Sequence, residues 1–526
     1  MITMTANRNH PSTALVALAF TLFAGCLYAA HLYRFGWFYM ASDDSYIYLG
    51  YARNWVERGE LLTYNPGEPS AGTTGLLYYY LLSAVASVVH FVYWPTPGAG
   101  LTLAAYITNA LLFAGSGLLT ARIWYSISEA RESLLSFGGA IAVLAATVSL
   151  PSFLWGWFGG LENPLSGTAL LLLTERVLSK AQGWQIALAS ATLGGCRPEL
   201  LPIGAFVVAL WAATQAAEER NPRILAPRLT ASIAAFVGMT LLIYLPCWFV
   251  TGSITPSALG TRVAIPALTE PHLLWQNLIV AARDGYFIRP WVVSVPLLLI
   301  GPLTARRTHA NWVLITVACI LAIYFLMRAA LGLTDFNIHD RYVSFLWPLY
   351  VLIAGYALQQ MLIRFGWDAL STGQRRIAFL AVALLLSGCM WVGFTRANDN
   401  LTADVLEMNQ VHVLPSQWMA QHLPKSARVM MEPAGAIRVF TDFYLIDAVG
   451  LTTRHRSNYL ASTTQPNYID FLRQTMASHV FDYPSRNPFL LKKSLFLPLS
   501  FWTPSHHQYS LGIIGVYAVV PAELTR

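Results

Sequence analysis

Two adjacent carboxylates, Asp43 and Asp44, stand in the segment YMASDDSYIYLGYARN, directly after the first long apolar stretch of the chain. Only 11% of the 526 residues are charged, so an acid pair beside an apolar stretch needs an explanation. A carboxylate near a membrane is costly unless it has a partner or a function. The structural alternative is a turn that starts a helix, because Ser42 and Asp43 are good N-cap residues.

A second acidic position, Glu162, follows the aromatic segment WGWF and lies in GGLENPL. Two acidic positions at one surface favour general-base chemistry on a hydroxyl, or a divalent cation held by Asp43, Asp44 and Glu162. The structural alternative for Glu162 is a cap at the start of the next helix.

Arg197 lies between two apolar segments, in CRPEL. A buried guanidinium needs an anion, and the sequence offers Glu199 as a local partner, whereas a phosphate is the functional alternative. Three further residues are predicted on the same side of the membrane: Arg262, His339 and Arg341. Each alone could contact a lipid head group, but together they predict a basic site of phosphate size.

These residues require a membrane scaffold, since 56% of the chain is hydrophobic and the mean hydropathy is +0.49. Recurring apolar stretches predict a polytopic α-helical membrane protein. The net charge of +7 is explained by Lys and Arg in cytoplasmic loops, so nucleic acid is not a predicted partner. About eleven spans are predicted, near residues 12–32, 99–121, 134–152, 164–181, 184–196, 199–217, 229–250, 289–304, 311–329, 341–361 and 377–395.

The basic loops fall on one side only if the apolar segment 75–94 does not cross the membrane. We therefore predict a re-entrant or surface-lying helix there, with the N-terminus inside and the C-terminus outside. Segment 184–196 is too short to span upright, and it is expected to pair with 199–217 as a bent hairpin around Arg197 and Pro198.

Two domains are predicted. Residues 1–395 form the transmembrane catalytic module, whose outer loop 33–98 contains the acid pair, and residues 396–526 form an outer α/β domain. In the tail, VLPSQWMAQHLPKSARVMME predicts a helix, a turn and a strand; FYLIDAVGL predicts a buried strand; and PNYIDFLRQTMASHVFDY predicts a helix and a strand.

Six segments resemble, in order along the chain, motifs of the GT-C glycosyltransferases. The first, DDSYIYLGYARNWVERGELLTYNPGE, is most similar to the first outer loop of the mycobacterial terminal arabinofuranosyltransferase branch. The others are GLENPL, CRPEL, TGSITPSALGTR, DRYVSFLWP and AGAIRVFTDFYLIDAVGLT. The chain departs from that branch at Ser70 and Ala71, at Asn163, at Leu200, and at Pro433 and Ala434, and these positions are expected to affect donor and acceptor specificity.

The resemblance implies a GT-C fold and an enzyme of the bacterial cytoplasmic membrane, with its active site and C-terminal domain facing the periplasm. It would transfer a single sugar, such as arabinofuranose, with inversion from a polyprenyl-phosphate donor to a hydroxyl of a cell-envelope glycan, lipid or protein. Asp43 matches the general base, Asp44 is its neighbour and Glu162 is the second acid. Arg197, Arg262 and Arg341, assisted by His339, would stabilise the departing phosphate.

Two alternatives remain at this stage. An oligosaccharyltransferase or glycan polymerase would use a larger lipid-linked donor. A transporter or flippase would place charges near the bilayer midplane, in repeated and broken helices. The acids of this chain are predicted at one outer face, and no internal repeat is visible. The sequence assigns no cofactor, and a divalent cation is the one candidate.

Overall fold

A computed structural model describes residues 39–127, 150–219, 221–254, 270–283, 344–364, 371–452, 465–505 and 512–520, with isolated positions between them such as Arg328. Helix α1 (Asp43–Arg58) begins with the acid pair and ends at Gly59. Gly59 adopts a φ of 70°, a left-handed conformation that is common at a helix C-terminus and unstrained for glycine. A short hairpin of β1 (Thr63–Asn65) and β2 (Glu68–Pro69) follows, and then α2 (Leu76–Val92) packs against α1.

The middle of the chain is a helical bundle. Its helices are α3 (Pro97–Ile127), α4 (Pro151–Phe158), α5 (Asn163–Leu178), α6 (Gly183–Cys196), α7 (Leu201–Glu218) and α8 (Pro222–Thr251). Helix α5 packs between α3 and α6, and α6 packs against α7 and α8. This arrangement brings the N-terminal end of α5 and the C-terminal end of α6 to the same region of the bundle.

The predicted bent hairpin around Arg197 is confirmed. Helix α6 ends at Cys196, Arg197 is extended, and Pro198–Leu200 form a single 3₁₀ turn before α7. Pro198 disfavours a helical conformation for the residue before it, which explains why α6 stops there. A Cβ added at Gly204 would lie 2.6 Å from the carbonyl oxygen of Ser190, so the glycine allows α6 and α7 to lie close together.

Three described stretches are long and apolar enough to cross a membrane: α3, Pro198–Glu218 and α8. Helix α2 is shorter, with Leu76, Tyr79 and Leu82 buried on one face and Phe91 exposed. The predicted spans 12–32, 134–152, 289–304 and 311–329 lie wholly or mainly outside the described residues. The number of about eleven spans and the non-crossing of 75–94 therefore stay predictions.

Within the described ranges, four helices follow before β3, of which α9 (Pro271–Arg283) was not among the predicted elements. The others are α10 (Trp347–Arg364), α11 (Thr372–Met408) and α12 (Leu414–His422). One π-helical turn, Asn409–Val413, joins α11 to α12. The domain boundary that the sequence placed at 395/396 falls inside α11, which runs unbroken for 37 residues.

The C-terminal region contains a five-stranded sheet of order β4-β3-β5-β7-β6. Its strands are β3 (Arg428–Met431), β4 (Tyr444–Asp447), β5 (His479–Asp482), β6 (Phe496–Trp502) and β7 (Ile514–Val519). Strands β4, β3 and β5 are parallel, whereas β7 is antiparallel to both β5 and β6. Helix α14 (Gln465–Thr475) packs Phe471 and Leu472 into the same core as Met430 and Val480 of the sheet. The helices and strands predicted for this tail are confirmed.

A short helix between β3 and β4, α13 (Ala436–Phe440), contacts α1 and so joins the C-terminal region to the first helix of the described ranges. The hairpin adds to this contact, since Asn65 Nδ2 donates to the Leu445 carbonyl at 2.8 Å and Leu445 N donates back to Asn65 Oδ1 at 3.0 Å. The α/β region is thereby fixed to the segment that contains the acid pair.

Candidate functional site

The acid pair lies in the first turn of α1, and its two members differ in burial. Asp43 is 7% exposed, and its carboxylate accepts hydrogen bonds from Gly435 N at 2.8 Å and from Ala436 N at 3.0 Å. The Nδ1 atom of His412, on the π-helical turn, lies 3.1 Å from the same carboxylate. Asp44 is less buried than Asp43.

Tyr48 connects α1 to Glu162. Its hydroxyl donates to Glu162 Oε2 at 3.0 Å and accepts from Gly75 N at 2.9 Å. Burial, with the nearby Glu162 carboxylate as the next cause, raises the pKa of Tyr48 well above its ordinary value, so this hydroxyl keeps its proton and donates. Glu162 lies at the N-cap position of α5, which is where the alternative of a helix cap placed it. Its side chain, however, accepts no hydrogen bond from the first N–H groups of the helix.

Arg197 lies in a buried cluster of charge. Its Nε atom is 3.1 Å from Glu199 Oε1 and 3.5 Å from Glu162 Oε1. Arg328 Nη1 lies 4.0 Å from Glu199 Oε1, and its side chain is 5% exposed. We call Glu162, Arg197, Glu199 and Arg328 the buried charge cluster. It contains two arginines and two glutamates, so a phosphate that reached Arg197 would compete with both carboxylates.

The structure therefore brings Glu162 and Arg197 together and links them to α1 through Tyr48. The sequence offered two anions for Arg197, the nearby carboxylate of Glu199 and the phosphate of a ligand. In the structure, the Glu199 carboxylate faces the Arg197 guanidinium. Three further predicted phosphate-binding residues, Arg262, His339 and Arg341, lie outside the described residues.

Sequence reasoning missed His412 and Arg328. His412 lies in the amphipathic stretch before α12, but only its π-helical turn brings it to Asp43. A π-helical turn within a longer helix often marks a functional position, but it leaves no simple pattern in the sequence. Arg328 lies within a predicted span, and an arginine inside an apolar stretch was a usable signal that the sequence argument did not follow.

A divalent cation does not fit the acids as they are arranged. Asp43 directs its carboxylate at the C-terminal region, whereas Glu162 directs its own at Tyr48 and Arg197. Within the described ranges, no group of three or more His, Cys, Asp and Glu side chains could hold a metal ion.

A cavity of about 780 Å³ lies elsewhere, at the other end of α5. Apolar residues such as Leu173, Ile186 and Val207 line it, and Lys180 and Arg228 lie at its polar edge. The lining residue on α5 nearest to Glu162 is Leu170, eight residues further along the chain, so at 1.5 Å per residue the cavity begins about 12 Å from Glu162. The cavity is not part of the candidate site.

Comparisons with known proteins add the fold class. A family model described as a domain of unknown function (DUF8728) matches residues 400–511. No curated protein matches the sequence. ArnT from Cupriavidus metallidurans in the apo state aligns with a TM-score of 0.54 and 15% identity, over 98% of this chain and 99% of that chain.

Two further solved structures are similar over nearly the whole chain. The Archaeoglobus fulgidus oligosaccharyltransferase in the apo form has a TM-score of 0.53 and 10% identity, over 96% of this chain and 76% of that chain. The arabinofuranosyltransferase AftD from Mycobacteria has a TM-score of 0.51 and 14% identity, over 96% of this chain and 40% of that chain. These relatives in structure are enzymes, glycosyltransferases of the GT-C type. The chain has the GT-C fold, an α-helical membrane fold with a C-terminal domain.

Proposed function

We propose that the chain is a GT-C glycosyltransferase that uses a polyprenyl-phosphate-linked sugar. It transfers the sugar with inversion to a hydroxyl of a cell-envelope acceptor, on the outer side of a bacterial cytoplasmic membrane. The observation that carries the proposal is the link from the acid-bearing helix α1 to the buried charge cluster, through the 3.0 Å hydrogen bond from Tyr48 to Glu162. The whole-chain similarity to GT-C enzymes supports it.

The ligands of two similar structures support the class of donor. ArnT was solved bound to undecaprenyl phosphate, and the archaeal oligosaccharyltransferase AglB was solved with dolichol-phosphate and an inhibitory peptide. Both lipids are polyprenyl-type phosphates. A lipid phosphate is therefore the leaving group that we propose for this chain.

In the proposed reaction, the acid pair takes the proton of the acceptor hydroxyl. The hydroxyl oxygen bonds to the anomeric carbon while the bond from that carbon to the phosphate oxygen breaks, and the electron pair leaves on the lipid phosphate. Fixed positive charge at Arg197 stabilises the developing negative charge, with Arg262, Arg341 and His339 as the proposed partners. Glu162, held by Tyr48 and Arg197, orients the acceptor.

More specifically, we propose that the chain transfers a single sugar, such as arabinofuranose. This specificity depends on the resemblance of the first outer loop to the arabinofuranosyltransferase branch. The TM-scores of 0.54 for ArnT and 0.51 for AftD do not favour that branch. Transfer of a larger lipid-linked glycan is the second candidate, which the similarity to the oligosaccharyltransferase supports with a TM-score of 0.53.

The test uses purified full-length protein in nanodiscs with a panel of polyprenyl-phosphate sugars and cell-envelope acceptors. We expect release of polyprenyl phosphate and transfer of one sugar, measured by mass spectrometry of lipid and product. The double variant Asp43→Asn/Asp44→Asn should lose turnover, whereas Glu218→Gln, at an exposed carboxylate near the cavity, should retain it. An active double variant would contradict the use of the acid pair, and a multi-sugar product would favour the second candidate.

A further inference from the structure

The cavity beside the C-terminal half of α5 has no part in the proposed reaction, yet it is too large to be a packing defect. Protein interiors contain few voids larger than a water molecule, whereas its volume of about 780 Å³ is typical of a ligand pocket. Its floor is apolar and buried, since Leu170 and Leu173 of α5 and Ile186 of α6 line it. An apolar occupant would supply the dispersion contacts that these side chains otherwise lack.

Helices α7 and α8 form the opposite wall of the cavity and lie at the periphery of the bundle. Val207 and Leu210 of α7 line it, as do Pro227 and Ala231 of α8. In the 18-residue apolar window of each of these two spans, only 17% of the residues are buried, compared with 56% in α3. The outer faces of α7 and α8 therefore contact lipid in a membrane, and bilayer hydrocarbon lies next to the cavity.

One face of α7 changes from apolar to polar along the cavity. The residues that line it at helical spacing are Ile203, Val207, Leu210, Trp211, Thr214 and Gln215. The apolar part, from Ile203 to Trp211, is about 12 Å long at 1.5 Å per residue. One leaflet provides about 15 Å of hydrocarbon, which is half of the bilayer core. The lining therefore fits a molecule with an apolar chain of about leaflet depth and a polar end.

Two cationic side chains lie at the polar end of the cavity. Lys180 follows the end of α5, and Arg228 lies in the second turn of α8. Both are exposed, and neither forms an ion pair with any residue that the structure describes. In contrast, Arg122 and Arg176 both pair with Glu175 of α5. The two cations of the cavity are therefore free to bind an anion that is not part of the chain.

Charge and topology specify the polar end of the occupant. Lys180 and Arg228 belong to the basic segments that the positive-inside rule places on the cytoplasmic side. Anionic lipids are enriched in the cytoplasmic leaflet, and basic pockets between membrane helices on that side bind their head groups. Glu218 opposes the two cations and leaves one excess positive charge among the described lining residues. Trp184, which is 42% exposed at the same end, is typical of an aromatic anchor at the membrane interface.

We infer that this cavity binds one anionic phospholipid of the cytoplasmic leaflet, such as phosphatidylglycerol. An acyl chain occupies the space among α5, α6, α7 and α8, and the phosphodiester contacts Lys180 and Arg228. The site goes beyond the proposed function, because binding of this lipid requires neither a sugar donor nor an acceptor.

The experiment measures lipid binding to the full-length protein in detergent by native mass spectrometry. Phosphatidylglycerol and phosphatidylcholine with the same acyl chains are added separately, so that the two titrations differ only in the head group. The wild type should bind one phosphatidylglycerol with a Kd at least about 5-fold below that for phosphatidylcholine, as one excess cation provides. Equal Kd values for the two lipids would overturn the inference.

Charge variants test the polar end of the cavity. Lys180→Gln/Arg228→Gln should raise the Kd for phosphatidylglycerol at least about 10-fold and leave that for phosphatidylcholine unchanged. Glu218→Gln should lower the Kd for phosphatidylglycerol, because it removes the opposing charge. Arg223→Gln is the control, since Arg223 is exposed at the start of α8 and does not line the cavity. An equal loss of binding in the control would mean that general surface charge, and not this cavity, attracts the lipid.

A second pair of variants tests the apolar space without changing any charge. Ala231→Trp adds an indole to the lining from α8 and should abolish one-to-one binding of phosphatidylglycerol. Ala234→Trp is the matched control, because Ala234 is exposed on the same helix and lies outside the lining. Unchanged binding by a folded Ala231→Trp protein would contradict the inference. If thermal unfolding shows that Ala231→Trp is not folded, the charge variants decide the test, because they change only exposed side chains.

The same titration recognises a different occupant. Undecaprenyl phosphate also combines an anionic head group with an apolar chain, and it should not displace phosphatidylglycerol at an equal concentration. Displacement would overturn the assignment to a phospholipid and would make the cavity a site for the lipid carrier. These measurements need no turnover, so a protein without glycosyltransferase activity would contradict the proposed function and leave the lipid result unaffected.

Discussion

Two groups of arginines in this molecule are neutralised in different ways. In the buried charge cluster, Arg197 and Arg328 face the carboxylates of Glu162 and Glu199. At the junction of α1 and α13, Arg53 and Arg438 are held mainly by main-chain carbonyl oxygens, since Arg438 donates to Thr441 O at 2.8 Å and to Phe443 O at 3.2 Å.

The carboxylates that face these two arginines are more exposed than those of the buried charge cluster: Glu57 accepts from Arg53 Nε at 2.9 Å with its side chain 23% exposed, and Asp442 lies at the surface. Asp442 is 67% exposed, although it accepts from Arg53 at 2.9 Å, whereas the Arg438 side chain is fully buried. Burial is the largest cause that lowers the pKa of Arg438, to about 10. Carboxylates therefore compensate the arginines of the buried charge cluster, whereas main-chain carbonyl oxygens make most of the hydrogen bonds to the arginines of the junction. The predictions below test that difference.

Arg197→Met should have the largest effect. It leaves the buried Glu162 without its guanidinium and the half-buried Glu199 with Arg328 alone, and breaking a buried ion pair by removing one partner costs about 3–5 kcal/mol. The free energy of unfolding in detergent, measured by denaturant titration, should fall by that amount. Arg473→Met is the control, because Arg473 pairs with Asp470 at the surface and should contribute at most about 1 kcal/mol. Equal effects of the two variants would contradict the role assigned to the buried charge cluster.

The stability of the C-terminal sheet should depend on pH through Asp482, the last residue of β5. Burial raises the pKa of Asp482 to about 6, while its oxygens accept from Tyr468, Asn487 and Tyr483 N. The native state therefore binds a proton that the unfolded chain releases above a pH of about 4. Stability should fall as the pH rises from about 4 to about 6, by up to about 3 kcal/mol.

The measurement is thermal unfolding at several pH values for the wild type and for Asp482→Asn. The difference between their pH profiles isolates this carboxyl, since the other carboxyl groups are present in both proteins. Burial, with the Asp482 carboxylate as the next cause, raises the pKa of Tyr517 to about 12, so this neighbouring hydroxyl stays neutral in this range. Identical profiles would show that Asp482 does not titrate as inferred.

Gly435→Ala should break the junction through the main chain. An added Cβ would overlap the carbonyl oxygen of Asp43, and a main-chain atom cannot move aside as a side chain can. Overpacking of this kind typically costs about 1–3 kcal/mol. Gly238→Ala in α8 is the matched control, because nothing lies within 4 Å of its added Cβ. Thermal unfolding and hydrogen exchange at residues 435–440 should distinguish the two variants.

The sequence predicted the parts of this molecule that local patterns determine. The short apolar runs in RVMM and HVFD and the helical spacing of α14 predicted the C-terminal elements, and Pro198 predicted the break between α6 and α7. The prediction of a catalytic turn at Asp43 and Asp44 could not assign a partner to either acid. The Gly435 amide that binds Asp43 is 392 residues away, and a main-chain donor leaves no side-chain signature in the sequence.

The sequence predicted only part of the buried charge cluster, again because some of its members are distant from one another along the chain. Arg197 and Glu199 are near neighbours, so their pairing could be proposed as a local alternative. Glu162 and Arg328 join them through the packing of α5 and of a distant apolar stretch, which composition alone cannot specify. A single sequence gives the residue types that could compensate one another, but the fold decides which of them meet.

Asp442→Asn should have the smallest effect, and it tests the comparison most directly. Arg53 and Arg438 would lose an exposed carboxylate but would retain the carbonyl oxygens of Arg438, Thr441 and Phe443. Exposed ion pairs contribute at most about 1 kcal/mol, so the free energy of unfolding should change by less than that, and high salt should remove the remaining difference. A loss as large as that of Arg197→Met would mean that the junction also depends on a carboxylate. The two groups of arginines would then differ in exposure alone and not in how their charge is compensated.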